Sequence, residues 1–266
     1  MLTMQNNRTI KQFARQMIVG HLVSAFFVLF ILKIATSIPS LILNYFAPES
    51  AFFSTLYNMY VLLVSGPLRF GVAIFFLSCI RGNCIGLNAM GYAFDYFGKA
   101  AALYINIMFR TLIGTIFFIV PGIIMAIRYS QAFFVLADDP TKSVYACMNE
   151  SSRIMQGKFT RFIFLYIGFI PLYFFANLPD AWATQQAVTA ELSGRVVEMD
   201  SYLQAMQSVM SRTTRSPWYY LSIVFVILVD IYRMATLAGY FDIASGKLVF
   251  QTAEETEAEY TENDEE

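Results

Sequence analysis

Residues 100–137 read AAALYINIMFRTLIGTIFFIVPGIIMAIRYSQAFFVLA. As one helix this stretch would be about 38 residues and near 57 Å long, at 1.5 Å per residue. The hydrocarbon core of a bilayer is about 30 Å thick and needs about 20 apolar residues to cross it. Pro121-Gly122, near the middle, therefore predicts a tight turn. Proline cannot continue the helical hydrogen-bond ladder, and glycine tolerates unusual dihedrals. The stretch divides into two membrane-crossing helices, at about 100–120 and 122–137, each carrying one arginine, Arg110 or Arg128.

Four further apolar stretches lie outside it, at about 17–46, 52–80, 159–178 and 218–241. The sum is six transmembrane helices, an all-α polytopic bundle forming a single domain over residues 1–246. Composition agrees. The chain is 57% hydrophobic and 14% charged, against about 25% charged in soluble domains. Its mean hydropathy is +0.54. The first apolar run is too long for a cleavable leader, and no small-residue cleavage site follows it.

Lysine and arginine gather on the cytoplasmic side of membrane proteins. With the N-terminus inside, that side collects Arg8, Lys11, Arg15, Arg81, Lys99, Lys142, Arg153, Lys158, Arg161 and Lys247. The outer side collects only Arg195, Arg212 and Arg215. Six crossings then place both termini in the cytoplasm. Residues 247–266 carry Glu254, Glu255, Glu257, Glu259, Glu262, Asp264, Glu265 and Glu266. They offer no apolar face and read as an acidic disordered tail. Cys79, Cys84 and Cys147 fall on the cytoplasmic side and are expected as reduced thiols.

Residues 47–51 read as a short outer turn and 81–99 as an inner loop. Residues 140–156 read as an interfacial helix, capped by Asp139 with Pro140 at its start and stopped at Gly157. Its apolar stripe of Val144, Cys147, Met148, Ile154 and Met155 is interrupted by Ser151. The paired acids Asp138 and Asp139 suit a cap better than a metal. In the outer loop 179–217, Val188, Leu192, Val196, Met199, Leu203, Met206 and Met210 recur at spacings of three and four. That pattern predicts an outer amphipathic helix.

The buried charges are the functional signal. Counted at 1.5 Å per residue, Arg69, Arg110, Arg128 and Arg233 lie about 14–18 Å from the inner ends of their helices, near the bilayer middle. An arginine there costs about 2.5–3.5 kcal/mol on insertion scales. Asp230 stands one turn from Arg233 and can pair with it. The other three have no carboxylate at their level. Either backbone carbonyls, tyrosines and water satisfy them, or they surround a site for an anion, whose oxygens match the guanidinium fork. Lys33 reads as snorkelling to the outer interface, without a role. His21, the only histidine, reads as structural.

The chain resembles the bacterial integral membrane proteins catalogued as domain of unknown function 975. Gly66-Pro67-Leu68, Gly71, Phe75-Phe76-Leu77 and Arg81-Gly82 carry the first part of the likeness. Val120-Pro121-Gly122-Ile123-Ile124, Arg128-Tyr129-Ser130, Leu136-Ala137-Asp138-Asp139-Pro140, Ser143, Ser151, Met155, Gly157 and Lys158 continue it. The likeness spans about residues 55–175. It implies a multi-pass protein of the bacterial plasma membrane and implies no activity.

Catalytic signatures such as G-x-S-x-G, H-E-x-x-H and the phosphate-binding loop are missing. The scattered basic residues do not suit nucleic acid. The expectation is a protein that is not an enzyme and needs no cofactor. It would bind or transport an anionic lipid or phosphorylated small molecule through Arg69, Arg110, Arg128 and Arg233, with Asp230 orienting the last. The alternative is a membrane scaffold or accessory subunit that recruits a protein partner through its outer loop or acidic tail.

Overall fold

The computed structural model describes residues 7–46, 51–192, 209 and 216–247. Among these residues every regular element is a helix. The expected acidic tail, most of the outer amphipathic helix and most of the 47–51 turn lie outside the described residues.

Six helical stretches are long and apolar enough to cross a bilayer: Leu22–Pro39, Phe52–Ile80, Phe97–Phe117, Ile119–Asp138, Phe159–Ala190 and Pro217–Ala244. The protein is a multi-pass membrane protein. At its centre is α3 (Ala51–Ile80), which runs unbroken through Pro67. Its apolar residues lie all around the axis, the pattern of a helix surrounded by protein or lipid. Phe70, Phe75, Phe76 and Ile80 are all fully buried.

The first apolar stretch is not one helix. It breaks at Gly20-His21 into α1 (Asn7–Val19) and α2 (Leu22–Phe46). Ile10, Ala14 and Ile18 recur every four residues, so α1 is amphipathic and buries that stripe in the core. His21 sits exposed in the turn. Lys11 places its ammonium 4.6 Å from the centre of the Phe169 ring, and burial lowers its pKa.

The expected inner loop 81–99 holds a helix, α4 (Asn88–Asp95), because Ala89, Met90 and Ala93 form a small apolar face that packs against α3. Cys79 and Cys84, expected as thiols, are joined by a disulfide: the turn after α3 brings their Cα atoms within 4.1 Å. Cys147 keeps its thiol.

The quoted stretch does form a hairpin. The turn falls at Phe118, three residues before Pro121. Helix α5 (Phe97–Phe117) ends there and α6 (Ile119–Arg128) begins, with Phe118 extended at φ −163° and ψ 151°. Pro121 then sits in the first turn of α6, where its missing N–H would have no helical partner anyway. The two arms meet glycine to glycine: a Cβ on Gly114 would lie 3.1 Å from the Gly122 Cα.

After a turn at residues 129–131 comes α7 (Ala132–Asp138), then α8 (Val144–Met155). The cap of α8 is Ser143, whose hydroxyl accepts from the Ala146 N–H at 3.2 Å. Asp139, the expected cap, instead accepts from the Thr141 N–H at 3.0 Å, closing its own turn. Its side chain is too far upstream to reach the first turn of α8. Gly157 stops the helix with φ +73°.

Helices α9 (Phe159–Ile167) and α10 (Ile170–Leu192) are separated by a turn at Gly168-Phe169. The latter passes straight through Pro179, so the segment expected as loop from 179 starts as helix. Last is α11 (Pro217–Ala244). Polar bonds tie these helices together, as in membrane bundles generally. Tyr57 and Tyr60 donate to the Thr36 and Ala35 carbonyls at 3.0 and 2.9 Å, and Ser222 donates to the Ala176 carbonyl at 3.0 Å.

Candidate functional site

Asp230 and Arg233 lie one turn apart on α11, and the guanidinium donates to the carboxylate at 2.8 Å. The Tyr173 hydroxyl, from α10, donates to the same carboxylate oxygen. This fixes Asp230 between two donors and aligns Arg233. The Nε of Arg233 is buried and has no hydrogen-bond partner among the described residues.

Arg233 opens onto a cavity of about 280 Å³. Its polar wall is Lys33 from α2, Arg69 from α3, Ser130 from the turn before α7, Tyr166 from α9, and Asp230 with Arg233. Leu29, Val72, Phe134 and Leu237 contribute apolar walls. Arg69 sets its guanidinium 5.2 Å from the centre of the Tyr104 ring, an attraction that leaves its N–H groups free for other acceptors. Three cations thus share one space with one carboxylate, so among the described residues two positive charges there have no carboxylate of their own.

Arg110 and Arg128 do not line this cavity. Both face α8. Arg110 lies 5.8 Å from the centre of the Tyr145 ring, and Arg128 donates from Nε to the Ser152 hydroxyl at 3.0 Å. Two of the four arginines therefore meet, and the other two brace the hairpin against α8. The cavity's third cation is Lys33, which the sequence reading set aside. The reason is the break at Gly20-His21: the crossing helix starts at Leu22, so Lys33 falls near its middle and not at its outer end. Tyr173 was also missed. It stands 57 residues from Asp230, and no local spacing announces such a pair.

A second charged cluster closes the other end of α3. Arg81 donates from Nε and Nη2 to the two oxygens of Asp242, at 3.0 and 2.6 Å. It also donates to Asp138 at 3.0 Å. Lys247 pairs with Asp138 as well. The hydrogen bond that Arg81 donates to Asp242 is the main cause of its raised pKa. The cluster joins α3, α7 and α11, and its charges are matched within the protein. Cys147 is buried in α8, and loss of hydration pushes its thiol up to about 11, so it is protonated at neutral pH.

Comparison of the chain with protein-family models, with curated proteins and with solved structures finds no match.

Proposed function

We propose that this membrane protein binds an anionic group, a phosphate or carboxylate, in the cavity between Lys33, Arg69 and Arg233, and that it works in the handling or transport of an anionic lipid or phosphorylated small molecule. The observation that carries the reading is the charge of the cavity wall: three cations against one carboxylate, within a bundle of membrane-crossing helices. Uncompensated cations in an apolar surrounding are costly. An anion bonded by two guanidinium forks and an ammonium offsets that cost and makes charge-assisted hydrogen bonds. Asp230 orients Arg233 and keeps its own charge matched.

The residue pattern shared with the bacterial family of domain of unknown function 975 supports membership in that family. It also supports a place in the bacterial plasma membrane. The bias of basic residues to the side of Arg81, Lys99, Lys142 and Lys158 supports cytoplasmic termini.

Native mass spectrometry of the purified chain tests the anion site. The double variant Lys33→Gln/Arg69→Gln is expected to lose phosphate-bearing adducts. Each charge-assisted hydrogen bond contributes about 1.5–3 kcal/mol, so affinity falls by about 100-fold or more. The variant Arg110→Gln/Arg128→Gln is expected to keep them. Unchanged adducts in Lys33→Gln/Arg69→Gln would overturn the reading and leave the cations as braces in a scaffold or accessory subunit.

A further inference from the structure

An apolar groove adjoins the cation cavity. It has a volume of about 380 Å³ and runs between α6 and α9, walled by Ile123, Ala126, Ile127, Ile163 and Ile167. Ser130 and Tyr166 line both spaces, so groove and cavity meet at their side chains. Ile123, Ile163 and Ile167 are 52%, 40% and 49% exposed. In a chain that crosses a bilayer, such side chains face lipid hydrocarbon. The groove therefore faces the membrane interior and borders the space that holds the charged wall.

The combination selects among ligands. A soluble phosphorylated compound would use the cavity and leave the groove to bulk lipid. A purely apolar molecule would use the groove and leave two positive charges unmatched. An amphiphile with an anionic head satisfies both. The chain gains little by itself, because moving hydrocarbon from bilayer to groove exchanges one apolar surrounding for another. The head supplies the affinity, and the groove decides which molecules can bring a head there. The α6 side of the groove runs from Ile123 to Ile127, about 6 Å at 1.5 Å per residue, and continues to Ser130 in the turn that follows.

We infer that the occupant is an anionic phospholipid that enters laterally between α6 and α9, sets its phosphate against Lys33, Arg69 and Arg233, and lays one acyl chain in the groove. This inference rests on the anion reading and narrows it to a lipid. Ala126→Trp and Ile163→Trp each fill the groove from one wall and touch no cation. Both positions are exposed to lipid, and thermal unfolding of each variant in detergent checks that the fold persists.

Native mass spectrometry with added dioleoylphosphatidylglycerol, dioleoylphosphatidylcholine and glycerol 3-phosphate gives the test. The native chain should retain phosphatidylglycerol over phosphatidylcholine by about tenfold or more, and both tryptophan variants should lose phosphatidylglycerol by a similar factor. They should bind glycerol 3-phosphate as the native chain does. Tryptophan variants that hold phosphatidylglycerol unchanged, while Lys33→Gln/Arg69→Gln holds neither anion, would overturn the lipid route and keep the anion site. A native chain that takes glycerol 3-phosphate and not phosphatidylglycerol would do the same. Lys33→Gln/Arg69→Gln binding both anions like the native chain would end both readings.

Discussion

Ser151 is the polar residue in the apolar face of α8, and it is fully buried. Its hydroxyl donates to the Arg128 carbonyl at 2.7 Å and accepts from the Gln131 N–H at 3.2 Å. Those two backbone groups flank the turn between α6 and α7, where the helical ladder is broken. One hydroxyl therefore satisfies the break. Ser151→Ala strands both groups away from water, at a cost of about 1–3 kcal/mol each. The expected result is a clear loss of stability to chemical unfolding in detergent, larger than for Ser152→Ala, whose partner is the half-exposed Arg128 side chain. Unchanged stability in Ser151→Ala would contradict this account of the break. The sequence marks Ser151 as an interruption, but its partners lie 20 and 23 residues away. Pairs one helical turn apart, such as Asp230 and Arg233, can be read from spacing. Pairs made by tertiary packing, such as Asp230 with Tyr173, cannot.

Helices announce themselves by apolar length, and all six crossings were legible that way. Their ends and breaks were less so. Pro121-Gly122 predicted the α5–α6 hairpin, yet the turn residue is Phe118, since a proline within the first helical turn is tolerated. Depth is the other quantity that sequence handles poorly. With 30 residues, α3 is about 45 Å long, beyond the roughly 30 Å hydrocarbon core. A depth counted from its inner end then depends on how much of that end lies outside the lipid.

The approach of α5 to α3 also has no sequence signature beyond a glycine. A Cβ on Gly66 would lie 2.5 Å from the Ala100 carbonyl oxygen and 2.7 Å from the Ala101 Cα. These are backbone atoms, so no side-chain rotation relieves the clash. Gly66→Ala should cost about 1–3 kcal/mol by overpacking. Gly91→Ala in α4 meets nothing within 4 Å and removes a poor helix former, so it should be neutral or stabilising by up to about 1 kcal/mol. Thermal unfolding of the pair in one detergent checks both signs. Equal effects would contradict the close approach.

Over the whole molecule, two zones differ in burial. Residues 65–80 of α3 and 235–242 of α11 are buried almost throughout, packed with α1, α4, α7 and α8. Residues 52–63 of α3 and most of 217–228 of α11 are exposed or half-exposed and mostly apolar, as a lipid-facing surface requires. The cation cavity lies where these zones meet: Val72 and Phe134 on its wall belong to the compact core, and Arg69 beside them is exposed. Hydropathy and charge bias made the class and the crossings readable. The cavity was not, because its wall gathers residues from α2, α3, α9 and α11, whose proximity only packing sets. The sequence did flag the arginines as costly, and that cost is what an anion would relieve.

A density map of the full chain in nanodiscs containing phosphatidylglycerol tests that claim most directly. The expected map has a phosphate within about 2.7–3.1 Å of nitrogens from Arg69 and Arg233, with Lys33 turned towards it and chain density leading past Ser130 and Tyr166. A cavity holding water alone, with Lys33 and Arg69 turned away and bonded to protein groups, would contradict it.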